Sequence, residues 1–97
     1  MVEGSQIDGR SHSKDVSGIL AEMRDFDKAI KVAMDYADNH PGTLVVVVAD
    51  HETGGLSIPS NKTDFTLPES GIGYNFGTGG HTAALIPVYL YGTGAEQ

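Results

Sequence analysis

From position 44 to 49 the chain reads LVVVVA, an uninterrupted apolar run in which four residues are valine. Valine is stiff at χ1 and packs well on a pleated surface. The run therefore predicts a strand buried on both faces, the kind found in parallel sheets covered by helices. It ends in Asp50-His51 and, after Glu52-Thr53, in Gly54-Gly55. Open α/β sheets gather their ligands at the carboxyl ends of strands. The two side chains that follow the run can both bind a metal and stand at such an end.

The flanking segments read as what supports that corner. Ile19, Met23, Phe26, Ile30, Ala33, Met34 and Ala37 recur at intervals of three and four, the stripe of an amphipathic helix over about 15–38. Short polar residues around Ser13 to Asp15 supply its N-cap, and Asn39-His40-Pro41-Gly42 stops it. His40 reads as a helix-terminus histidine. Asp25/Lys28 and Asp27/Lys31 are placed as ion pairs on the outer face. Met1-Val2 reads as the end of an earlier strand, with Glu3-Gly4-Ser5 turning away, so strand, helix and strand make a βαβ unit. Beyond Gly55, a short strand at Leu56 to Ile58 precedes Pro59. Residues 60–80, with Gly71, Gly73, Gly77, Gly79 and Gly80, read as a loop. Residues 84–91, ALIPVYLY, form a second apolar run in which Pro87 marks an edge strand or a bulge. An apolar strand short of partners exposes backbone that seeks pairing, which predicts self-association into a homo-oligomer.

Composition narrows the chemistry. Ninety-seven residues make at most one small domain. A formal charge of −7 argues against a nucleic-acid partner, which needs a basic face. The absence of cysteine excludes disulfides and thiolate metal sites. No apolar stretch approaches the roughly 18 residues of a membrane span, and the N-terminal residues carry no signal-peptide pattern. Asp8 and His12 are four apart, so one helical turn puts both on one face; the same spacing occurs in solvated turns. Asp50 and His51 are adjacent and would share a cation only where the strand ends and the backbone bends, which Gly54-Gly55 permit. The alternatives are a turn residue and a surface imidazole. His81 closes the glycine-rich loop and by itself reads as a loop histidine. Asn61-Lys62-Thr63 matches a glycosylation acceptor, a pattern too common to use. Taken together, three of the four histidines and two aspartates stand beside strand ends or glycine turns. Imidazole and carboxylate without sulfur suit zinc in a site with open coordination positions.

The segment from Glu3 to Asp8 (EGSQID) with His12, then TLVVVVADHETGG at 43–55, then Thr78-Gly79-Gly80-His81, closely resembles the second half of the alkaline phosphatases. The intervening helix and the closing IPVYLYG fit as well, so the resemblance covers nearly the whole chain. It implies part of a three-layer α/β/α sandwich with a mostly parallel sheet. It also implies that Asp8, His12 and His81 are ligands of one zinc, Asp50 and His51 of a second zinc, and Glu3 of a neighbouring magnesium. The family reaction is a two-metal in-line displacement on phosphate monoesters, and the family setting is periplasmic or secreted. The family's nucleophilic serine, its zinc–magnesium bridging aspartate and its phosphate-gripping arginine all precede the region present here. Ser5, Ser11, Ser13 and Arg10 stand outside those motifs. Residues 1–97 are therefore expected to be a single fragment, the C-terminal part of the catalytic domain, inactive alone and with only a small lid between Gly55 and Thr78. The alternative is a zinc-binding module without hydrolysis.

Overall fold

A computed structural model describes residues 1–59 and 73–96. The elements run α1 (Ser5–His12), α2 (Val16–Asn39), β1 (Leu44–Val48), β2 (Glu52–Thr53), β3 (His81–Thr82) and β4 (Val88–Gly92). Of the loop expected at 60–80, residues 60–72, with Gly71 and the Asn61-Lys62-Thr63 pattern, lie outside the described residues. No helix among the described residues is long and apolar enough to cross a membrane.

The long helix follows the sequence closely. Asp15 is its N-cap, with the side chain accepting from Gly18 N at 3.0 Å. Three devices close the other end. Asn39 Nδ2 donates to Asp35 O at 2.9 Å, His40 Nδ1 donates to Tyr36 O at 2.8 Å, and the His40 ring stacks on Tyr36 at 3.8 Å. These satisfy carbonyls that the last turn leaves free, and Gly42, at φ +94, turns the chain into β1. Along the predicted stripe Ile19 is buried and Phe26, Ile30, Ala33, Met34 and Ala37 are half-buried, but Met23 is 48% exposed. The expected pairs of Lys28 and Lys31 with Asp25 and Asp27 are not among the ion pairs of the described residues. Lys31 instead reaches forward to Asp35 at 3.0 Å. Both i, i+4 partners were open to it on the helix surface.

The start of the chain differs from expectation. Met1 and Val2 are exposed and belong to no strand, and α1 begins at Ser5. Polar and glycine-containing, α1 has little helical drive of its own; it forms where it lies against α2. Ser11, buried on α1, donates its hydroxyl to Ile7 O at 2.7 Å.

The sheet also departs from the parallel reading. β1 pairs with β4 antiparallel, Leu44 opposite Gly92 and Val48 opposite Val88, and β2 pairs with β3 antiparallel. No parallel pair occurs among the described residues. The strand expected to be buried on both faces is covered on one: Val45 and Val47 are half-buried, whereas Leu44, Val46 and Val48 are 45–54% exposed. Opposite Val46 and Val48 stand Leu90 and Val88, also exposed. The reason is one of layers, since α2 packs against both strands and no second helix covers their other side among the described residues. Pro87 immediately precedes β4, which accords with a residue that cannot donate to a ladder. Leu56 to Ile58 form no strand, only a single bridge from Ser57 to Asn75. At the far end Tyr91 Oη donates to Asp38 Oδ1 at 2.5 Å, tying β4 to the end of α2.

With so little buried apolar surface, the caps of α2 carry weight. Replacing Asp15 by alanine removes the acceptor for Gly18 N and is expected to lower stability by about 1 kcal/mol, whereas asparagine retains most of it. Urea denaturation of the three proteins measures this, and equal midpoints would refute the assignment.

Candidate metal centre

The centre is assembled by two very short strands. β2 is the Glu52-Thr53 step directly after Asp50-His51, and β3 is His81-Thr82; Thr53 pairs with His81 and Glu52 with Thr82. The glycines make this pairing possible. Gly54 has φ +90, and a Cβ there would stand 3.2 Å from the Ser11 carbonyl and 3.1 Å from the Phe76 ring. Its own N–H donates to Gly80 O at 2.8 Å, and Gly77 N returns a bond to Gly54 O at 2.9 Å. Glu52 braces the turn: its carboxylate accepts from Gly55 N at 3.0 and 3.1 Å and from the Thr82 hydroxyl. The Thr82 hydroxyl, followed by the backbone N–H groups of Gly55, Leu56 and Thr53, holds the Glu52 carboxyl below the usual carboxylate range against the cost of desolvation.

Onto this frame α1 brings Asp8 and His12. Asp8 Oδ1 accepts from the Thr53 hydroxyl at 2.6 Å and lies 3.3 Å from both His12 Nε2 and His81 Nε2. His51 closes the group, its ring stacked on His81 at 3.5 Å, with His12 5.0 Å from His81 on centroids. Donor atoms of Asp8, His51 and His81 all lie within 4.8 Å of one another. The Asp8 carboxyl is held below its ordinary value, chiefly by the Thr53 hydroxyl and then by His12, His81 and His51, against desolvation.

The hydrogen-bond roles show what the cluster can take up. The Gly79 carbonyl can only accept, so His12 Nδ1, 2.6 Å away, carries the hydrogen. In the neutral ring Nε2 is then a bare lone pair pointing at an anionic oxygen 3.3 Å away. Such an opposition is relieved by a proton on the ring or by a cation held between the two atoms. Carboxylate oxygen and imidazole nitrogen are donors that zinc takes in sites with open positions, so the residues present fit that metal. All four side chains keep access to solvent, between 29% and 48%.

Of the residues singled out in the sequence, Asp8, His12, His51 and His81 converge. Asp50 stands at the edge, 87% exposed, with Oδ1 3.4 Å from His51 Nε2. Glu3 lies outside the cluster, ahead of α1, bordering a cleft with Glu22 and Asp25. His40 caps α2. Sequence reasoning passed over Thr53, Glu52 and Thr82, whose hydroxyls and carboxylate orient the others. The signal was their place within the DHETGG and GGHT blocks, but only the pairing of β2 with β3 gives them partners.

Because Asp8 ionises below its unfolded value, its contribution to stability is present above about pH 4 and is lost as the pH falls through the folded value. Between about pH 5 and pH 3 the metal-free protein is therefore expected to lose more stability than Asp8→Asn does, measured as the shift of the urea midpoint. Parallel losses would contradict the geometry around Asp8.

The family model described as "Alkaline phosphatase" matches residues 1–72. "Alkaline phosphatase 3" of Bacillus subtilis is 55% identical over 58 residues, which cover 60% of this chain and 13% of that protein. "Streptomycin-6-phosphate phosphatase" of Streptomyces griseus is 35% identical over 99% of this chain and 24% of its own length. Among solved structures, the alkaline phosphatase from the Antarctic bacterium TAB5 superposes with a TM-score of 0.84 at 45% identity, covering 97% of this chain and 28% of that one. A mutant of it is described with Mg bound in the M3 site. The chain thus spans 13% and 24% of the two curated relatives.

Proposed function

The chain belongs to the alkaline phosphatase family, and from that premise we propose that it is the metal-binding C-terminal part of a zinc- and magnesium-dependent phosphomonoesterase. Asp8, His12 and His81 hold one zinc, Asp50 and His51 contribute to a second, and Glu3 contributes to a magnesium site. One observation carries the reading: the Nε2 atoms of His12 and His81 both stand 3.3 Å from Asp8 Oδ1, while Nδ1 of His12 is committed to a carbonyl. Metal held by such a set supplies Lewis-acid stabilisation of charge on a phosphoryl group.

The chain's own residues do the holding. Gly79 O orients His12, Thr53 fixes Asp8, and the β2–β3 pairing sets His81 opposite Thr53. Nothing in the 97 residues answers to the family's serine, bridging aspartate or arginine, so the chain alone is proposed to be catalytically silent. The open apolar face of β1 and β4 supports self-association or burial against further polypeptide. The periplasmic or secreted setting is carried over from the family.

Zinc is expected to raise the melting temperature of the chain, because binding to the native state alone adds RT ln(1 + [L]/Kd), about 2.7 kcal/mol at a hundredfold excess over Kd. The gain shrinks on acidification, since protons compete for imidazole nitrogens. Thermal melts of wild type and His81→Ala with and without zinc test the ligand assignment. An equal rise in both would remove His81 from the site.

Assayed at alkaline pH with zinc and magnesium, the chain is expected to turn over a chromogenic phosphomonoester negligibly. Removing a nucleophile from a cooperating unit costs several orders of magnitude. Turnover comparable to an intact family member, surviving repurification, would refute the proposal.

A further inference from the structure

Thr53 is one of two buried polar residues among those described, 9% exposed, and it faces two of the candidate ligands at once. A threonine hydroxyl has a single proton to give and lone pairs with which to accept. Asp8 Oδ1, at 2.6 Å, takes the proton, since an ionised carboxylate only accepts. The hydroxyl oxygen then turns a lone pair toward His51 Nδ1, 3.2 Å away. That contact is favourable only if His51 Nδ1 carries the hydrogen. The Glu52 carbonyl, 3.3 Å from the same nitrogen, makes the same demand. The neutral His51 ring is thereby left with a bare Nε2 facing the Asp50 carboxylate 3.4 Å away, an opposition that a cation held between the two relieves.

We infer that Thr53 is a positioning residue for the metal centre: its one hydroxyl orients the Asp8 carboxylate and simultaneously favours the His51 tautomer that leaves Nε2 free. The two contacts run in one direction, imidazole N–H to hydroxyl and hydroxyl O–H to carboxylate, so they reinforce each other. Through β2 the same residue is paired in the ladder with His81. Thr53 therefore stands between donors that reach the site from α1, from the end of β1 and from β3. Among the described residues no other side chain hydrogen-bonds to both Asp8 and His51. The inference rests on the metal-centre reading above and adds to it a residue that is not itself a ligand.

The test is calorimetric titration of the 97-residue chain with zinc chloride, for wild type, Thr53→Val and Thr53→Ser, with circular dichroism verifying that each is folded. Valine keeps the shape and β propensity of threonine but loses the hydroxyl, whereas serine keeps the hydroxyl. Losing the partner of a ligand typically weakens metal binding about 10- to 100-fold. Thr53→Val is expected in that range, and Thr53→Ser within about threefold of wild type. Thr53→Ala carries the expectation of the valine variant should that one fail to fold. Unchanged affinity on loss of the hydroxyl would overturn the inference while leaving the metal centre intact. So would a serine variant as weak as the valine one, because the methyl group and not the hydroxyl would then matter. A wild-type chain that takes up no zinc would sink the metal-centre reading itself, and this inference with it.

Discussion

A two-residue antiparallel pairing, Glu52-Thr53 against His81-Thr82, is what the site depends on. Without it the histidine at the end of the glycine-rich segment has no reason to lie near the first turns of the chain. With it, Gly79 O meets His12 across 67 positions and Thr53 meets Asp8 across 45. So short a ladder has little stability of its own. It is held by the glycine turn that folds back on it and by the Glu52 carboxylate, which satisfies the Gly55 N–H and the Thr82 hydroxyl together. Charge at this point is managed locally, since Glu52 is drawn into the turn and is thereby kept apart from the Asp8 cluster.

The rest of the molecule behaves as a platform for that corner. The long α2 packs on α1, β1 and β4, and the Tyr91–Asp38 bond fastens the far end of the platform. Little of it is buried: Ile19 is the one buried hydrophobic residue among those described. The apolar face of Leu44, Val46, Val48, Val88 and Leu90 is left toward solvent. That is the arrangement of one helix layer on a sheet whose second side is uncovered, and it accords with a chain matching 28% of a solved alkaline phosphatase.

Local chemistry made much of this legible in advance. The helix at 16–39 was readable from its three- and four-residue apolar spacing, from Asp15 as a cap and from the proline–glycine stop. The strand at 44–48 was readable from its valines. The donor types, carboxylate and imidazole without thiolate, were readable as the groups that gather in the cluster of Asp8, His12, His51 and His81. Among the described residues β1 is covered on one face and paired antiparallel with β4, against the doubly buried, parallel reading, for a definite reason. A continuous apolar run reports that a strand is meant to be covered, but not which strand lies beside it or what lies on each face. Met1-Val2 misled in the same way, since two apolar residues carry no periodicity from which to judge pairing.

By itself the sequence determined the elements and the inventory of donors: α2 and its caps, β1 and β4, and the carboxylates and imidazoles of Asp8, His12, Asp50, His51 and His81. Only the tertiary structure decided that the Thr53 hydroxyl links Asp8 to His51 within the cluster, that Asp50 stays at its edge, and that Glu3 lies apart from it. It also decided which nitrogen of His12 faces Asp8. The physical reason is that propensity, capping and donor chemistry belong to a residue and its near neighbours along the chain. Which lone pair meets which proton is set by the pairing of segments far apart in sequence, and no local period records it.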